Sequence, residues 1–507
     1  MEALSLLAEG FAVALDPRVL AIAAAGCLIG TVVGALPGLG PVNGVAILIP
    51  LAFSLRLDAG AALILLACVY YGCMYGGRIS SIMLNIPGDE PAMMTCLDGH
   101  PMAQAGKASE ALALSAVSSF MGAILATLGL LLFAPLLVQV AIRFGPAEYF
   151  ALFVLAFATI GGVTGANPAK TLLSAGFGLA LGMVGLDAYS GAPRFTFDLF
   201  VLYDGFDPIV AIVGLFAISE LLVILERGAR DPDAKGVVLG RSLPRMREVW
   251  PFWPAMLRGS GIGFAAGVLP GAGASLGAFL GYALEKRVSD AGGFGGGDPR
   301  GLAAPEAANN AAAGGSLVPM LALGVPGSGT TAVLLALLIS MNVQPGPLLF
   351  AQRPEIVWGL IAALFLANVI LLALNLPLVG LFTRMLALPL WALMPFVAMV
   401  SFVGIYSISN SAFDLWAMVA FGVAGYALRK LDVGLVPLVL GLLLGTQMEA
   451  NFRRAMAISG GDPAVLLQGP IVWGLYAATL ALLGVGVVMA LRARRARRAA
   501  PPGEERA

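Results

Sequence analysis

Apolar runs recur along the whole chain, many close to the roughly 20 residues that a helix needs to cross ~30 Å of hydrocarbon. They cover approximately 19–35, 59–75, 111–140, 147–166, 170–187, 208–226, 329–342, 355–378, 391–408, 413–428, 434–447 and 470–491. The pattern predicts an all-α polytopic membrane protein with about 12 transmembrane segments, some too short to span alone. Polar positions gather in few places. The longest stretch sets Arg227, Arg230, Lys235, Arg241, Arg245, Arg247 and Arg258 against Glu226, Asp231, Asp233 and Glu248. Its basic excess, and the five arginines between Arg492 and Arg498, assign this linker and the C-terminus to the cytoplasm.

Several apolar stretches are interrupted. GALPGLGPVNG, residues 34–44, holds four glycines, two prolines, an asparagine and no charge, so it suits lipid yet keeps a helix poorly. It has a twin: GTVVGALPGLG (30–40) matches GFAAGVLPGAG (263–273) at an offset of 233. A second pair, SIMLNIPGDEPAMMT (81–95) and MLALGVPGSGTTAVL (320–334), follows at an offset of 239. Two matched breaks in the same order argue for duplication. The chain then divides into a first half (1–225), the cytoplasmic linker (226–258), a second half (259–491) and a basic tail (492–507). Each half is expected to contain Pro-Gly-broken helices or re-entrant hairpins. An odd number of crossings per half inverts one against the other, and inverted repeats are the expectation for breaks that meet at mid-membrane.

In hydrocarbon, irregular backbone persists only where it packs in protein or lines a wet cavity. A break frees helix N-termini, which favour an anion, and unwound carbonyls, which suit a cation such as Na⁺. The expected substrate-binding set is therefore Pro37, Gly38, Gly40 and Asn43; Ser81, Asn85, Pro87 and Gly88; Pro270, Gly271, Gly273 and Ser275; and Pro326, Gly327, Ser328, Thr330 and Thr331. The bland alternative is that these hydroxyls and amides merely cap helices. Ionisable groups near the breaks are few, which makes Asp89 and Glu306, with Asn309 and Asn310, candidates for a coupling ion, Na⁺ or H⁺.

Composition adds limits. The chain has 507 residues, 59% of them hydrophobic and 11% charged, against about 25% charged in globular domains. A net charge of zero gives no hint of a nucleic-acid partner. Glu2, Glu9 and Asp16 without a basic n-region argue against a cleaved signal peptide. Cys27, Cys68, Cys73 and Cys96 lack metal-ligand spacing and read as small buried residues. The one histidine, His100, reads as a solvated loop residue, so an intramembrane enzyme lacks its machinery. No GxxxxGK[ST] loop occurs, so the chain is not itself an ATPase, and no cofactor is expected.

These motifs together resemble the large membrane subunit of the tripartite tricarboxylate transporters. The matching stretches are GTVVGALPGLGPVNGVAILIPLAF (30–53), YYGCMYGGRISSIMLNIPGDEPAMMTCLDGHPMAQAGKASEALAL (70–114), GVLPGAGASLGAFLGYALEKR (267–287), FGGGDPRGLAAPEAANNAAAGGSLVPMLALGVPGSGTTAVLLALLI (294–339) and QPGPLLF (344–350). The resemblance implies a bacterial inner-membrane permease that works with a small four-helix membrane subunit and a periplasmic solute-binding protein. It implies ion-driven uptake of citrate or another carboxylate without ATP. A passive anion channel is the rival reading. Arg78 departs from the pattern, standing in YGGRISS where a small hydroxyl residue is expected, and either meets a carboxylate substrate or pairs with Asp89 or Glu90.

Overall fold

The computed structural model describes residues 2–36, 38–163, 168–187, 189–227, 246–271, 273–378, 380–382 and 394–499. They form an almost wholly helical molecule, its one sheet a two-stranded ribbon of Gly185–Leu186 and Pro193–Arg194. The first half comprises α1 (Glu2–Ala14), α2 (Pro17–Ala35), α3 (Gly40–Ser54), α4 (Ala59–Leu84), α5 (Met93–Met102), α6 (Ala108–Ala141), α7 (Pro146–Val163) and α8 (Pro168–Gly182). It ends in α9, which runs from Pro208 through a π-helical turn at Val213–Ile218 to Arg227. The second half comprises α10 (Trp253–Val268), α11 (Gly273–Ser289), α12 (Pro299–Leu323), α13 (Gly329–Ser340), α14 (Pro354–Asn375), α15 (Met394–Ser409), α16 (Ala412–Lys430), α17 (Leu435–Ile458) and α18 (Pro470–Ala499). Among the described residues, six helical stretches are long and apolar enough to cross a membrane, and six further apolar helices are shorter.

The duplication is visible in the packing. A Cβ added at Gly26, Gly30 or Gly34 would fall 2.6, 2.3 or 2.2 Å from the carbonyl oxygens of Leu65, Val69 and Cys73, so α2 lies backbone to backbone along α4. At Gly259, Gly263 or Gly267 it would fall 2.2, 2.1 or 2.3 Å from the carbonyl oxygens of Ala304, Ala308 and Ala312, placing α10 along α12 in the same manner. The glycines are related by 259 − 26 = 233 and the carbonyls by 304 − 65 = 239, the two offsets of the sequence motifs. Such small-residue stripes are how helices approach closely in lipid. Asn85 (φ 55) and Gly324 (φ 70), also 239 apart, end α4 and α12 in the left-handed conformation.

Helix directions settle the relation of the halves. Along α4 and α5 the chain meets α12 in descending order: Tyr70 at Ser316, Thr95 at Glu306, then Asp98 beside Gly301. The equivalent helices α4 and α12 are therefore antiparallel, and the repeats are inverted. Gly277 and Gly281 of α11 pack on Ala312 and Ala308 of α12, again in descending order, so α11 runs against α10 and the two form a hairpin. Each half then continues through α4–α5, α6, α7, α8 and α9 in the first and through α12–α13, α14, α15, α16 and α17 in the second. Outer helices exchange partners across the halves, α8 on α17 through Gly178 and Gly441, α9 on α16 through Gly214 and Gly422.

Two sequence expectations need correction. α3, α10, α11 and α12 are absent from the apolar runs, α3 because its Pro-Gly-rich start read as a break and the others because alanine, glycine and polar residues dilute their hydropathy. In α12 every residue from Gly301 to Leu323 is buried by protein, so nothing requires it to be greasy. His100 is not in a loop: it lies on α5, half-buried, with Nδ1 3.0 Å from the Ile82 carbonyl oxygen. Cys27, Cys68 and Cys73 are buried free thiols, as expected, and Cys96 is half-buried.

Candidate functional site at the helix breaks

The four breaks meet. The position a Cβ would take on Gly40 lies 3.4 Å from Asp89 Cβ, joining the first break to the second. Ser275 Oγ donates to Glu90 Oε2 at 3.1 Å, joining the second to the third. Gly273 N–H donates to the Gly327 carbonyl at 3.2 Å, joining the third to the fourth. A Cβ on Gly329 would lie 3.3 Å from Val42, which closes the ring. The N-termini of α3, α11 and α13 and the turn leading into α5 thus come together with the C-termini of α2 and α10, whereas α4 and α12 end seven residues beyond Gly77 and Ser316, where the breaks pack on them. The helix starts offer positive dipole ends, with Ala92 and Thr331 N–H capped by side chains and Gly273 N–H bonded to the Gly327 carbonyl.

Glycine makes the turns possible. Gly38 and Gly40 have φ of 83° and 60°, and their counterparts Gly271 and Gly273 have 76° and 65°, values that side chains resist. Gly88 packs against Gly77 Cα and the Gly34 carbonyl as Gly327 packs against Ser316 Cα and the Gly267 carbonyl. The caps match too. Asp89 Oδ1 accepts from Ala92 N–H at 3.0 Å, and Ser328 Oγ accepts from Thr331 N–H at 3.2 Å, while Thr331 Oγ1 accepts from Ser328 N–H at 2.8 Å. Residues 89 and 328 are equivalent positions at an offset of 239, one an acid and the other a hydroxyl. Duplicated geometry therefore carries different chemistry in each half.

The remaining expected residues fall as follows. Pro37 lies outside the described residues. Pro270, Pro326 and Gly327 are buried and Pro87 half-buried. Thr330 and Thr331 are buried at the start of α13. Ser81 is buried but donates to the Gly77 carbonyl of its own helix at 2.9 Å. Asn85 is exposed at the end of α4. Asn43 is buried, donates to Glu220 Oε2 at 3.2 Å and accepts from Arg429 Nη2 at 3.3 Å, while Arg429 and Glu220 form an ion pair. Hydroxyl contacts at 3.5 Å, Tyr70 with Ser316 and Ser328 donating to Ser316, link α4 and α12 to the fourth break, while Ser316 donates to the Ala313 carbonyl.

Among the described residues Arg78 forms no ion pair with Asp89 or Glu90. It is enclosed in protein and donates to the Leu112 carbonyl (2.5 Å), Ser115 Oγ (2.7 Å) and Asn375 Oδ1 (3.0 Å), tying α4 to α6 and α14. Glu306 is buried in α12, where its carboxylate accepts from Thr95 Oγ1 and from Ser119 Oγ (2.9 Å). Asn310 donates to the Glu306 backbone carbonyl at 3.0 Å. Sequence reasoning missed Glu220, Arg429, Tyr70, Ser316, Thr95 and Ser119. Glu220 carried a signal, being an ionisable residue inside the apolar run 208–226. The hydroxyls carried none, since their partners are remote in sequence.

Away from the ring, a concavity of about 410 Å³ lies between residues 181–208 and α17, lined in part by Asp187, Tyr189, Arg194, Gln447 and Glu449. Most of its charges are paired, Arg194 with Asp187 and Glu449 and Arg453 with both acids, while Asp204 also lines it.

Residues 20–440 match the tripartite tricarboxylate transporter TctA family. An uncharacterised 52.8 kDa protein in the TAR-I ttuC' 3' region of Agrobacterium vitis is 38% identical over 498 residues, covering 98% of each chain. An uncharacterised protein in the TAR-II ttuC' 3' region of the same organism is 38% identical over 234 residues, covering 46% of this chain and 97% of its own. No solved structure matches the chain. The match over most of its length, on the very segments that form the ring of breaks, makes this multi-pass membrane protein a member of the tripartite tricarboxylate transporter TctA family.

Proposed function

We propose that the chain is the permease of a binding-protein-dependent secondary transporter that takes up tricarboxylates or other carboxylates on an ion gradient. The observation that carries this reading is the convergence of the N-termini of α3, α11 and α13 and the turn leading into α5 at one place inside the molecule. Aligned helix dipoles there favour an anion without a dedicated cation, and a substrate with several carboxylates has several ends to meet. The adjoining unwound carbonyls and Asp89 suit a co-transported Na⁺ or H⁺. A periplasmic solute-binding protein delivers the substrate, and a small four-helix subunit completes the complex in the bacterial inner membrane. The basic linker and C-terminal tail then face the cytoplasm. The chain is not an enzyme in this reading and uses no cofactor.

The inverted repeat supports a carrier over a passive channel, because two pseudo-symmetric arrangements of one structure supply the inward- and outward-facing states. Uptake of labelled carboxylate into reconstituted vesicles tests the reading. Accumulation stops when the Na⁺ and proton gradients are both collapsed, and replacing Asn85 and Ser328 together by alanine raises KM or cuts the rate tenfold or more. Gradient-independent uptake would return the channel, and a wild-type double variant would remove both residues from the site.

A further inference from the structure

Glu306 is a carboxyl buried in protein, with the Arg78 charge acting on it but not hydrogen-bonded to it. Its side chain is 1% exposed at the centre of α12, and both carboxylate oxygens accept hydrogen bonds, Oε1 from Thr95 on α5 and Oε2 from Ser119 on α6. Burying a carboxylate costs several kcal/mol unless a positive charge attends it. Among the described residues no Lys or Arg forms an ion pair with Glu306. Arg78, whose charge acts on it, directs its hydrogen bonds to Leu112, Ser115 and Asn375 instead.

The surroundings supply further oxygens. Thr95 and Ser119 have each given their one hydroxyl hydrogen to Glu306 and keep lone pairs. One turn along the same side of α12, Asn309 Oδ1 is buried with no hydrogen-bond donor, and the residue is 3% exposed. A buried acceptor left without a donor needs an explanation, and a cation is one. Asn310 is not part of this set, since its amide bonds the Glu306 backbone. A single carboxylate with neutral hydroxyl and amide oxygens is a hard, singly charged donor set. It does not resemble the acidic and imidazole clusters of transition metals.

We infer that Glu306, Thr95, Ser119 and Asn309 hold a sodium ion, and that this is the coupling cation of the transport reaction. The inference rests on the transport reading above and gives its coupling ion an identity and a place. It also gives coupling a route. Thr95 stands in the first turn of α5, directly after the second break, while the stripe of α12 that carries Glu306 and Asn309 continues to Ser316 and so to Ser328 at the fourth. An ion joining Thr95 to α12 therefore steadies two of the four breaks at once.

The test uses the purified full chain, without substrate, in choline chloride titrated with sodium chloride, and reads the melting temperature. Wild type is expected to show a saturable rise in Tm with sodium. Glu306→Gln is expected to lose the response and Ser119→Ala to need at least ten times more sodium. Ser118→Ala, whose hydroxyl bonds its own helix at the Leu114 carbonyl, should behave as wild type. Should Glu306→Gln fail to fold, Ser119→Ala and Thr95→Val carry the test. An absent sodium response in wild type, or an equal one in the site variants, overturns the assignment. So does a response to acid in place of sodium that Glu306→Gln removes, which would make the site a proton site. None of these results touches the transport reading, which fails separately if no ion gradient drives uptake.

Discussion

Arg78 shows how a buried charge can be structural. Three acceptors from α6 and α14 surround its guanidinium, and charged hydrogen bonds contribute roughly 1.5–3 kcal/mol each. Arg78→Ala should reduce the yield of folded protein and its melting temperature, while KM in the surviving fraction changes less than tenfold, about 1.4 kcal/mol of binding. A large KM change at unaltered stability would instead return Arg78 to the substrate. Asp187, outside the membrane-spanning helices, works the other way. Ser190 and Tyr189 N–H groups and the Arg453 guanidinium hold its carboxyl well below the usual carboxylate range. Because its folded-state pKa is depressed, its stabilisation is present above the unfolded value, about 3.9, and is lost as the pH falls through the folded one. Asp187→Asn should therefore melt below wild type at neutral pH, and the gap should close as the pH is lowered from about 4. Arg78 and Asp187 differ in legibility. A sequence displays a charge in an apolar run, but the acceptors around Arg78 come from positions 34, 37 and 297 residues away.

At the scale of elements, glycine stripes decide how the helices lie. A Cβ on Gly263 would sit 2.1 Å from the Ala308 carbonyl oxygen, whereas one on Gly261 meets nothing within 4 Å. Gly263→Val should then separate α10 from α12, costing at least the ~1–3 kcal/mol of overpacking and lowering melting temperature and uptake together. Gly261→Val, two residues away on the same helix, should leave both close to wild type. Equal effects would mean that helix propensity rather than close approach governs these positions. The stripes were partly legible, since Gly30 pairs with Gly263 and Gly34 with Gly267 in the motifs themselves. What hydropathy could not reveal was α12 itself. A helix wrapped on every side by protein has no need of a lipid-facing surface, so a signal built on lipid solubility passes over it.

For the whole molecule, the two offsets foretold the arrangement better than the apolar runs did. Breaks matched at 233 and 239 residues became a closed ring. The parity of the repeats was illegible because α3, α12 and the α10–α11 hairpin were missing from the apolar runs. The Asn43–Glu220–Arg429 cluster was illegible for another reason, since it joins three helices from both halves. If the ring opens and closes during transport, joining its two halves should arrest it. With the native cysteines replaced, Glu90→Cys and Ser275→Cys, whose native side chains touch at 3.1 Å, are placed for a short thiol cross-linker. Cross-linked protein should lose uptake and regain it once the link is cleaved. Unchanged uptake in fully linked protein would show that these breaks do not part.

The central claim is that the substrate sits where the four breaks meet. Imaging the complex in lipid with a bound tricarboxylate tests it without recourse to activity. Density for the ligand bounded by Gly40, Asp89, Ser275 and Gly329, with its carboxylates at the N-termini of α3, α5, α11 and α13, is the predicted result. Density confined to the cleft between residues 181–208 and α17, with the ring closed on its own side chains, would contradict it.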